Sequence, residues 1–208
     1  LHRLAHTGAN YNYAYAFVDM LTSEINSYMY ILNIFSLSVT FQLRLERVDM
    51  SSFQSIREFV DRIKEMDRPI DYLVNNAGVL SPTYEESADG HELSLAVNYL
   101  GPVLLTELLL PEMMKAPMAR IVNVSSMLHF NGSLYKPTLH LVGADYGPYL
   151  AYSQSKLALT MYTVELGKRL EGTSVTAVSL HPGTVKTELT RNSNSMMDVS
   201  ITYAKQNK

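Results

Sequence analysis

The sequence from residue 70 to residue 78 reads Ile70-Asp71-Tyr72-Leu73-Val74-Asn75-Asn76-Ala77-Gly78. Its first five residues are mostly apolar and bulky, a composition that predicts a short buried strand. The amides and the small residues that follow end this strand in a turn. In an open α/β sheet the ligand crevice lies beyond the carboxyl ends of the strands. Asn76, Ala77 and Gly78 are therefore candidate ligand contacts.

Helical and strand patterns alternate downstream of this turn. The predicted helices cover residues 93–114 and 149–170, and the predicted strands cover residues 121–124 and 175–180. Pro102 and Pro111 are expected to bend or split the first of these helices. Such alternation is typical of right-handed crossovers that build a parallel sheet covered on both faces. The sequence thus predicts a doubly wound, Rossmann-like α/β/α sandwich that is incomplete at its N-terminal and C-terminal ends.

Two further patterns lie upstream of residue 70. Residues 52–66 carry an apolar stripe at helical spacing, and Ser51 followed by Gln54 fits a capping box. Residues 37–45 alternate strictly between apolar and polar side chains, which predicts a half-buried strand near a sheet edge.

Length and composition bound the possible classes of protein. The chain has 208 residues, 47% of them hydrophobic and 18% charged, which predicts a single globular domain. Its expected parts are a divergent or incomplete stretch 1–47, a core 48–187 and a poorly ordered polar tail 188–208. The net charge of −3, without basic clusters, argues against a nucleic-acid partner. The lack of cysteine excludes disulfides and thiolate ligands, and no metal site is predicted.

The sequence shows no signal peptide and no predicted transmembrane segment. The apolar stretch 28–35 is interrupted by Asn33 and is shorter than the ~20 residues that a membrane span needs. We therefore expect a protein that is cytoplasmic or peripheral to a membrane. The chain begins with Leu1, which is compatible with a fragment or a processed product.

Tyr152 and Lys156 stand four residues apart in the second predicted helix, and so on one face of it. A free tyrosine has a pKa of about 10, and a cation held beside it stabilises the phenolate. A tyrosine in this setting can exchange a proton with an alcohol or a carbonyl oxygen. Taken alone, the pair also fits an ordinary surface Tyr–Lys contact.

Other polar residues are expected at the same edge of the sheet. Asn98 lies within a predicted helix, where a buried amide needs hydrogen-bonding partners. Ser126 ends the strand before Tyr152, and Pro182-Gly183 ends the last strand. Each of these residues follows a strand or lies on the next helix, so they converge with the 75–78 turn on one candidate site.

In this order, these motifs resemble the short-chain dehydrogenase/reductase family over residues 48–187, and their local sequence is similar to its retinol-dehydrogenase-like branch. The stretches that carry the likeness are Ile121-Val122-Asn123-Val124-Ser125-Ser126, Ala151-Tyr152-Ser153-Gln154-Ser155-Lys156-Leu157-Ala158 and His181-Pro182-Gly183-Thr184-Val185. The resemblance implies an oxidoreductase that interconverts an alcohol and a carbonyl with NAD(H) or NADP(H). A small lipophilic, retinoid-like substrate fits that branch.

The resemblance also implies a role for each site residue. Tyr152 is the general acid/base, and Lys156 lowers its pKa and hydrogen-bonds the nicotinamide ribose. Ser126 hydrogen-bonds the substrate oxygen, and Asn98 holds a water in a proton relay to Lys156. The implied cofactor contacts, besides Tyr152 and Lys156, are Gly8, Asp49, Met50, Asn76, Ala77, Gly78, Pro182, Gly183, Val185 and Thr187. A homodimer through the helices carrying Asn98 and Tyr152 is implied as well.

The N-terminal glycine motif departs from the family pattern. Thr7-Gly8 is followed by Ala9-Asn10-Tyr11-Asn12-Tyr13-Ala14, so both later glycines of the pyrophosphate turn are missing. The residue that would select NAD or NADP cannot be placed among Asp19, Glu24 and Arg44. A second hypothesis therefore stays open, namely a catalytically silent family member with impaired cofactor binding that acts by association or is a truncated product. A generic Rossmann-like nucleotide module would leave Ser126, Tyr152 and Lys156 without a purpose.

Overall fold

The computed structural model describes residues 28–31, 44–136 and 138–183. Its strands are β1 (Tyr28–Ile31), β2 (Arg44–Arg47), β3 (Tyr72–Asn75), β4 (Ala119–Val124) and β5 (Val175–Leu180). Its helices are α1 (Phe53–Lys64), α2 (Leu93–Leu95), α3 (Gly101–Met113) and α4 (Pro148–Arg169). A π-helical turn, Ala96–Leu100, joins α2 to α3, and 3₁₀ turns cover Met127–Asn131 and Gly143–Asp145.

The centre of the fold is a parallel three-stranded sheet in the order β3-β4-β5. The three predicted strands are confirmed, and the parallel α/β class is confirmed with them. Side chains alternate between the two faces of the sheet, so Leu73, Asn75, Ile121 and Asn123 are buried on the same face. This alternation decides which side chains meet the helices.

Helices α1, α3 and α4 cover that face and form the main core with it. Their apolar stripes bury large side chains, and each buried side chain of this size contributes ~1.5–3 kcal/mol of transfer free energy. The fully buried members of this core include Ile56, Phe59, Leu73, Leu109, Met113, Ile121 and Leu166. The opposite face of β5 leaves Val178 and Leu180 exposed among the described residues. The helical layer that the sequence predicts for that second face is not part of the described structure.

The N-terminus of α1 corrects one expectation. The capping residue is Ser52, whose hydroxyl accepts a hydrogen bond from the Ser55 N–H at 3.2 Å. The hydroxyl of Ser51 instead donates to the Asp49 carboxylate at 2.6 Å. The predicted capping box at Ser51 and Gln54 is wrong, because Asp49 forms a local turn that holds Ser51 outside the helix.

Strand β2 contains the end of the predicted strand 37–45, and residues 32–43 are not described. This strand pairs antiparallel with β1 in a separate two-stranded sheet. The predicted edge position next to the parallel sheet is therefore not seen for β2. The 1–27 stretch with its glycine motif, and the tail beyond residue 183, also lie outside the described ranges.

The predicted helix 93–114 forms one continuous helical segment, Leu93–Met113, with the π-helical turn inside it. This turn lies directly before Pro102, while Pro111 is accommodated within α3. Proline has no N–H, so the carbonyl of Asn98, four residues earlier, loses its ordinary helical donor. The irregularity expected from Pro102 therefore falls on the turn that carries Asn98, and π-helical turns are frequent at functional sites.

The same segment is the one described helix long and apolar enough to cross a membrane. The sequence pattern predicted no membrane span at this stretch. In the fold, 67% of its most apolar window is buried inside the protein, which is the property of a core helix. By itself this is weak support for a membrane span.

The start of α3 packs tightly against the loop after β2, which gives a test of the fold. A Cβ added at Gly101 would overlap the carbonyl oxygen of Met50. We expect Gly101→Ala to lower the free energy of unfolding by ~1–3 kcal/mol, the usual cost of overpacking. The control is Gly167→Ala within α4, where the new Cβ would lie 3.9 Å from the nearest atom, the Ala177 carbonyl oxygen. It should be neutral or stabilising in thermal unfolding, and equal losses for the two variants would contradict this packing.

Candidate active site

Helix α4 brings Tyr152 and Lys156 to the carboxyl end of the sheet on one buried face. Their exposed fractions are 5% and 3%, and the Lys156 Nζ lies 5.7 Å from the centre of the Tyr152 ring. The helix begins at Pro148, whose missing N–H is harmless in a first turn. The predicted proximity of the two side chains is thus present in the structure, and the pair is not on the surface.

The Lys156 ammonium is attached to the end of the neighbouring strand. It donates a hydrogen bond to the Val124 carbonyl oxygen, the last residue of β4, at 2.9 Å. Burial disfavours its charged form and lowers the pKa of Lys156 to about 8. The side chain is therefore a lysine that can lose or regain its proton close to neutral pH.

Burial has the opposite effect on the phenol. It raises the pKa of Tyr152, and hydrogen bonding with the Ser126 hydroxyl acts against that rise. The family resemblance implied that Lys156 lowers this pKa. In this structure desolvation of the phenol is the largest influence on the pKa of Tyr152. Burial likewise disfavours the charged form of Lys156.

Ser126 lies two residues beyond the end of β4 and caps the 3₁₀ turn Met127–Asn131. Its hydroxyl accepts a hydrogen bond from the Leu128 N–H at 3.2 Å, and its side chain is half-buried. The interaction with the Tyr152 phenol brings the two hydroxyl groups close together, and the Lys156 Nζ lies 5.7 Å from the centre of the Tyr152 ring. A substrate oxygen that reached both hydroxyls could receive a hydrogen bond from one and exchange a proton with the other.

The Asn98 side chain holds the site together from the helical segment before α3. Its Oδ1 accepts from the Val79 N–H at 2.8 Å, and its Nδ2 donates to the Val79 carbonyl oxygen and to the Ser155 Oγ, both at 2.9 Å. The amide is fully buried and bound to protein groups. It therefore fixes the loop after β3 against α4. The water that the resemblance assigns to Asn98 stays a prediction.

The predicted cofactor contacts fall into three groups. Asn76 is exposed, Ala77 is half-buried and Gly78 is buried in the loop that Asn98 holds. Pro182 and Gly183 are exposed just beyond β5, and Gly183 has a φ of 88°, which favours glycine.

Residues nearer the start of α1 form the third group. The Asp49 carboxylate accepts from the N–H and the hydroxyl of Ser51 at 2.9 and 2.6 Å, and Met50 is buried. Of the predicted contacts, Gly8, Val185 and Thr187 are not described. The structure thus brings together Asn98, Ser126, Tyr152 and Lys156. It places the loop residues after β3 and β5 at the same carboxyl edge of the sheet.

A buried polar chain that the sequence analysis missed crosses the fold beside this site. Asn75 donates to the Thr106 hydroxyl at 3.0 Å and to the Asn123 Oδ1 at 2.7 Å, and Asn123 donates to the Thr163 hydroxyl at 2.8 Å. All four side chains are buried. An available signal was the placement of Asn75 and Asn123 at strand positions in step with Leu73 and Ile121. Since each amide is satisfied, the chain joins β3 and β4 to α3 and α4 without an unpaired polar group.

Gln154, also missed, attaches the insert between Ser126 and Tyr152 to α4. Its Oε1 accepts from the Tyr135 N–H at 2.5 Å, and its Nε2 donates to the Leu139 carbonyl oxygen at 2.8 Å. The Tyr135 hydroxyl donates to the Asp145 carboxylate at 3.0 Å, which closes the insert on itself. The signal in the sequence was a polar side chain on the inner face of α4.

The donor groups at the site fit a bound nicotinamide cofactor. An ammonium carries three N–H donors, and within the described residues Lys156 uses one of them, on the Val124 carbonyl. Two donors of a buried cation therefore remain for acceptors such as the hydroxyls of a ribose. The exposed turns at Asn76 and at Pro182-Gly183 flank this position on the neighbouring strands.

A parallel α/β sheet with Ser126, Tyr152 and Lys156 at the carboxyl ends of its strands defines the Rossmann-like class with a dehydrogenase-type site. The family comparison is specific within that class. Residues 35–198 match the family model described as short chain dehydrogenase. The chain belongs to the short-chain dehydrogenase family.

Individual relatives agree with this assignment. Over 150 residues the chain is 42% identical to retinol dehydrogenase 13 of Mus musculus, covering 72% of this chain and 45% of that protein. A solved structure of an uncharacterized protein from Mycobacterium paratuberculosis is 38% identical with a TM-score of 0.60, covering 69% of this chain and 52% of that chain. An NADPH-bound carbonyl reductase from chicken fatty liver is 28% identical with a TM-score of 0.53, covering 68% and 58%. The chain thus spans about half the length of such relatives.

The buried Lys156 predicts how stability depends on pH. Its pKa is about 8 in the folded protein against 10.5 for an ordinary lysine, so between these values the unfolded chain binds more protons. Stability from this group is therefore lowest below pH 8 and rises towards pH 10.5. We expect Lys156→Met to remove this rise, worth about 3 kcal/mol at 1.36 kcal/mol per pKa unit.

Thermal unfolding from pH 7 to 10.5 measures this effect for both proteins. The unfolding temperature of Lys156→Met should exceed that of the wild type most at the acid end of this range. The difference between the two unfolding temperatures should shrink as the pH rises. Lys115→Met is the control, because that lysine is exposed and its partner among the described residues is Glu112. A gain for Lys156→Met that did not vary with pH would contradict the buried charge.

Proposed function

We propose that this chain carries the catalytic half of an NAD(P)-dependent oxidoreductase that interconverts an alcohol and a carbonyl. The observation that carries the proposal is the assembly of half-buried Ser126 with buried Tyr152 and Lys156 next to the carboxyl ends of β3, β4 and β5. Family membership and the similarity to an NADPH-bound carbonyl reductase support it.

When bound, the nicotinamide cofactor supplies or accepts the hydride at the substrate carbon. The Tyr152 phenol gives a proton to the substrate oxygen during carbonyl reduction and takes it back during alcohol oxidation. The Ser126 hydroxyl donates a hydrogen bond to the same oxygen and stabilises the charge that develops on it. Burial raises the pKa of Tyr152, which favours the protonated phenol that carbonyl reduction requires.

Lys156 has two tasks in this scheme. Its two remaining N–H donors would bind the ribose hydroxyls of the cofactor, while the third stays on Val124. Its positive charge stabilises the phenolate that forms when Tyr152 releases its proton. Because burial lowers the pKa of Lys156 to about 8, this lysine also exchanges its proton readily close to neutral pH.

The cofactor would extend from this pair along the carboxyl edge of the sheet. The loops after β3 and β5 would hold the adenosine ribose and the nicotinamide end, through Asn76, Ala77 and Gly78 and through Pro182 and Gly183. Asp49 and Met50 would lie at the adenine. The preference between NAD(H) and NADP(H) is left to experiment, because Asp19 and Glu24 are not described and no role follows from the position of Arg44 in β2.

For the substrate we propose a small lipophilic alcohol or aldehyde of the retinoid kind. The sequence similarity to retinol dehydrogenase 13 supports this choice. The insert between Ser126 and Tyr152 also exposes large apolar side chains near the site, namely Met127, Phe130, Tyr135, Val142 and Leu150. The homodimer through α3 and α4, and a cytoplasmic or membrane-peripheral location, stay predictions.

The silent-member hypothesis rested on the N-terminal glycine motif, which the structure does not describe. Among the described residues the catalytic groups are assembled rather than scattered. No observation favours the alternative, and cofactor binding decides between the two.

Tyr152→Phe tests the catalytic assignment. Removing one hydroxyl takes away the proton donor, so we expect turnover of an aldehyde such as retinal with NADPH or NADH to fall by at least about 10²-fold, the lower end of what general acid catalysis contributes. Tyr162→Phe on the same helix is the matched control. The Tyr162 hydroxyl donates a hydrogen bond of 2.9 Å to the Glu107 carboxylate, and this contact lies away from the site. The control should keep wild-type turnover, and activity retained in Tyr152→Phe would remove the mechanism.

Cofactor titration tests whether the chain binds a nicotinamide at all. With NADPH and NADH followed by nicotinamide fluorescence, we expect saturable binding in the micromolar range, which is typical of K_M values for enzymes. Lys156→Met should weaken it, because two hydrogen bonds to the ribose are lost. A folded chain without binding up to millimolar cofactor would favour the catalytically silent alternative.

A further inference from the structure

We propose that Ser125, together with Thr160, is a positioning residue that fixes the main chain of Lys156 relative to Ser126. This inference deepens the proposed function and rests on it. Neither residue touches the reacting position. Both act through Lys156, which they hold from the side of its backbone carbonyl.

The contacts of Ser125 run from the strand to the helix. Its hydroxyl lies 2.8 Å from the Thr160 Oγ1 and 3.3 Å from the Lys156 carbonyl oxygen. The Thr160 hydroxyl in turn donates to that same carbonyl oxygen at 2.9 Å. Because Ser125 has one hydroxyl hydrogen, the consistent arrangement is Ser125 donating to Thr160 while Thr160 donates to Lys156.

The base of this contact is rigid. The Ser125 N–H donates to the Leu180 carbonyl oxygen at 2.8 Å, which extends the ladder between β4 and β5 by one residue. The Ser125 side chain is itself buried. Its hydroxyl therefore cannot follow α4 without breaking a sheet hydrogen bond, so it holds the helix at a defined height above the strand end.

Three consecutive residues at the end of β4 thus hold the catalytic helix. The Val124 carbonyl oxygen accepts a hydrogen bond from the Lys156 ammonium, and the Ser126 hydroxyl interacts with the Tyr152 phenol. Between them, the Ser125 hydroxyl contacts the Thr160 hydroxyl that is bound to the Lys156 carbonyl. Lys156 is held at both its side chain and its main chain. A shift of α4 along its axis would change the spacing of all three contacts together.

A comparable hydroxyl contact farther along α4 supplies a control for stability alone. Thr163 accepts a hydrogen bond from Asn123 at 2.8 Å and donates to the Leu159 carbonyl oxygen. It links the same strand and helix, but it lies seven residues from Lys156 and makes no contact with it. Loss of this link should lower stability without altering the catalytic lysine.

The experiment compares Ser125→Ala, Thr160→Val and Thr163→Val in the full chain, with Ser125→Thr as the conservative rescue. The readouts are kcat and K_M against pH, the unfolding temperature, and the titration of ¹³Cε-labelled lysine by NMR. The Lys156 signal is assigned by its loss in Lys156→Met. The NMR titration does not depend on turnover, so it tests the positioning even where the proposed reaction fails.

We expect Ser125→Ala and Thr160→Val each to lower kcat about tenfold with little change in K_M, since small misplacements of catalytic groups are costly. Their double variant should lose little more than either one, because both belong to one chain of hydrogen bonds. The Lys156 titration should move from near its wild-type midpoint of about 8 towards 10.5, as water reaches the loosened ammonium. Ser125→Thr keeps the hydroxyl, so its kcat and its Lys156 titration midpoint should match those of the wild type.

Thr163→Val should lower the unfolding temperature and leave the kcat profile and the Lys156 titration unchanged. The proposal is overturned when Ser125→Ala keeps the wild-type Lys156 titration, whatever its unfolding temperature. An inactive wild-type chain would count against the proposed reaction. A shifted Lys156 titration in Ser125→Ala but not in Thr163→Val would still support the positioning role.

Discussion

The hydrogen bond from the Lys156 ammonium to the Val124 carbonyl oxygen is the interaction on which the rest of the site depends. A cation that is 3% exposed must keep a partner, because an unpaired charge in this position would be strongly destabilising. The strand end supplies that partner and so fixes the first half of α4 over the carboxyl edge of the sheet. The position of Tyr152, one turn earlier on the same helix, follows from this attachment.

The two ends of α4 are held by different kinds of contact. Near the site the Lys156 ammonium donates a hydrogen bond to the last residue of β4, and the Thr160 hydroxyl accepts one from Ser125, the residue that follows β4. Farther along the helix, the Thr163 hydroxyl accepts a hydrogen bond from Asn123 in β4. At the far end Leu166 packs into the apolar core, with Leu170 just beyond the helix. Apolar packing supplies most of the stability, while satisfied polar contacts define one arrangement and exclude sliding. The hydrogen bonds of Lys156 and Thr160 lie where the chemistry needs a defined spacing.

Local patterns were sufficient for the strands and helices of the core. Alternation and apolar runs placed β3, β4 and β5, and the spacing of Tyr152 and Lys156 put them on one helical face, since both depend on a fixed period. The N-cap of α1 was misplaced by one residue, because the choice between Ser51 and Ser52 depends on the turn that Asp49 forms. The sequence pattern alone does not distinguish which of the two neighbouring serines caps the helix.

The sequence by itself determined the parallel α/β class and the family, because periodicity and motif order can be read along the chain. It also named the candidate site residues Asn98, Ser126, Tyr152 and Lys156. Only the tertiary structure decided what surrounds them. Burial sets the pKa directions of Tyr152 and Lys156, and register pairs Asn75 with Asn123. The Asn98 amide is bound to Val79 and Ser155. These facts depend on residues far apart in the chain meeting in space, so no local pattern could contain them.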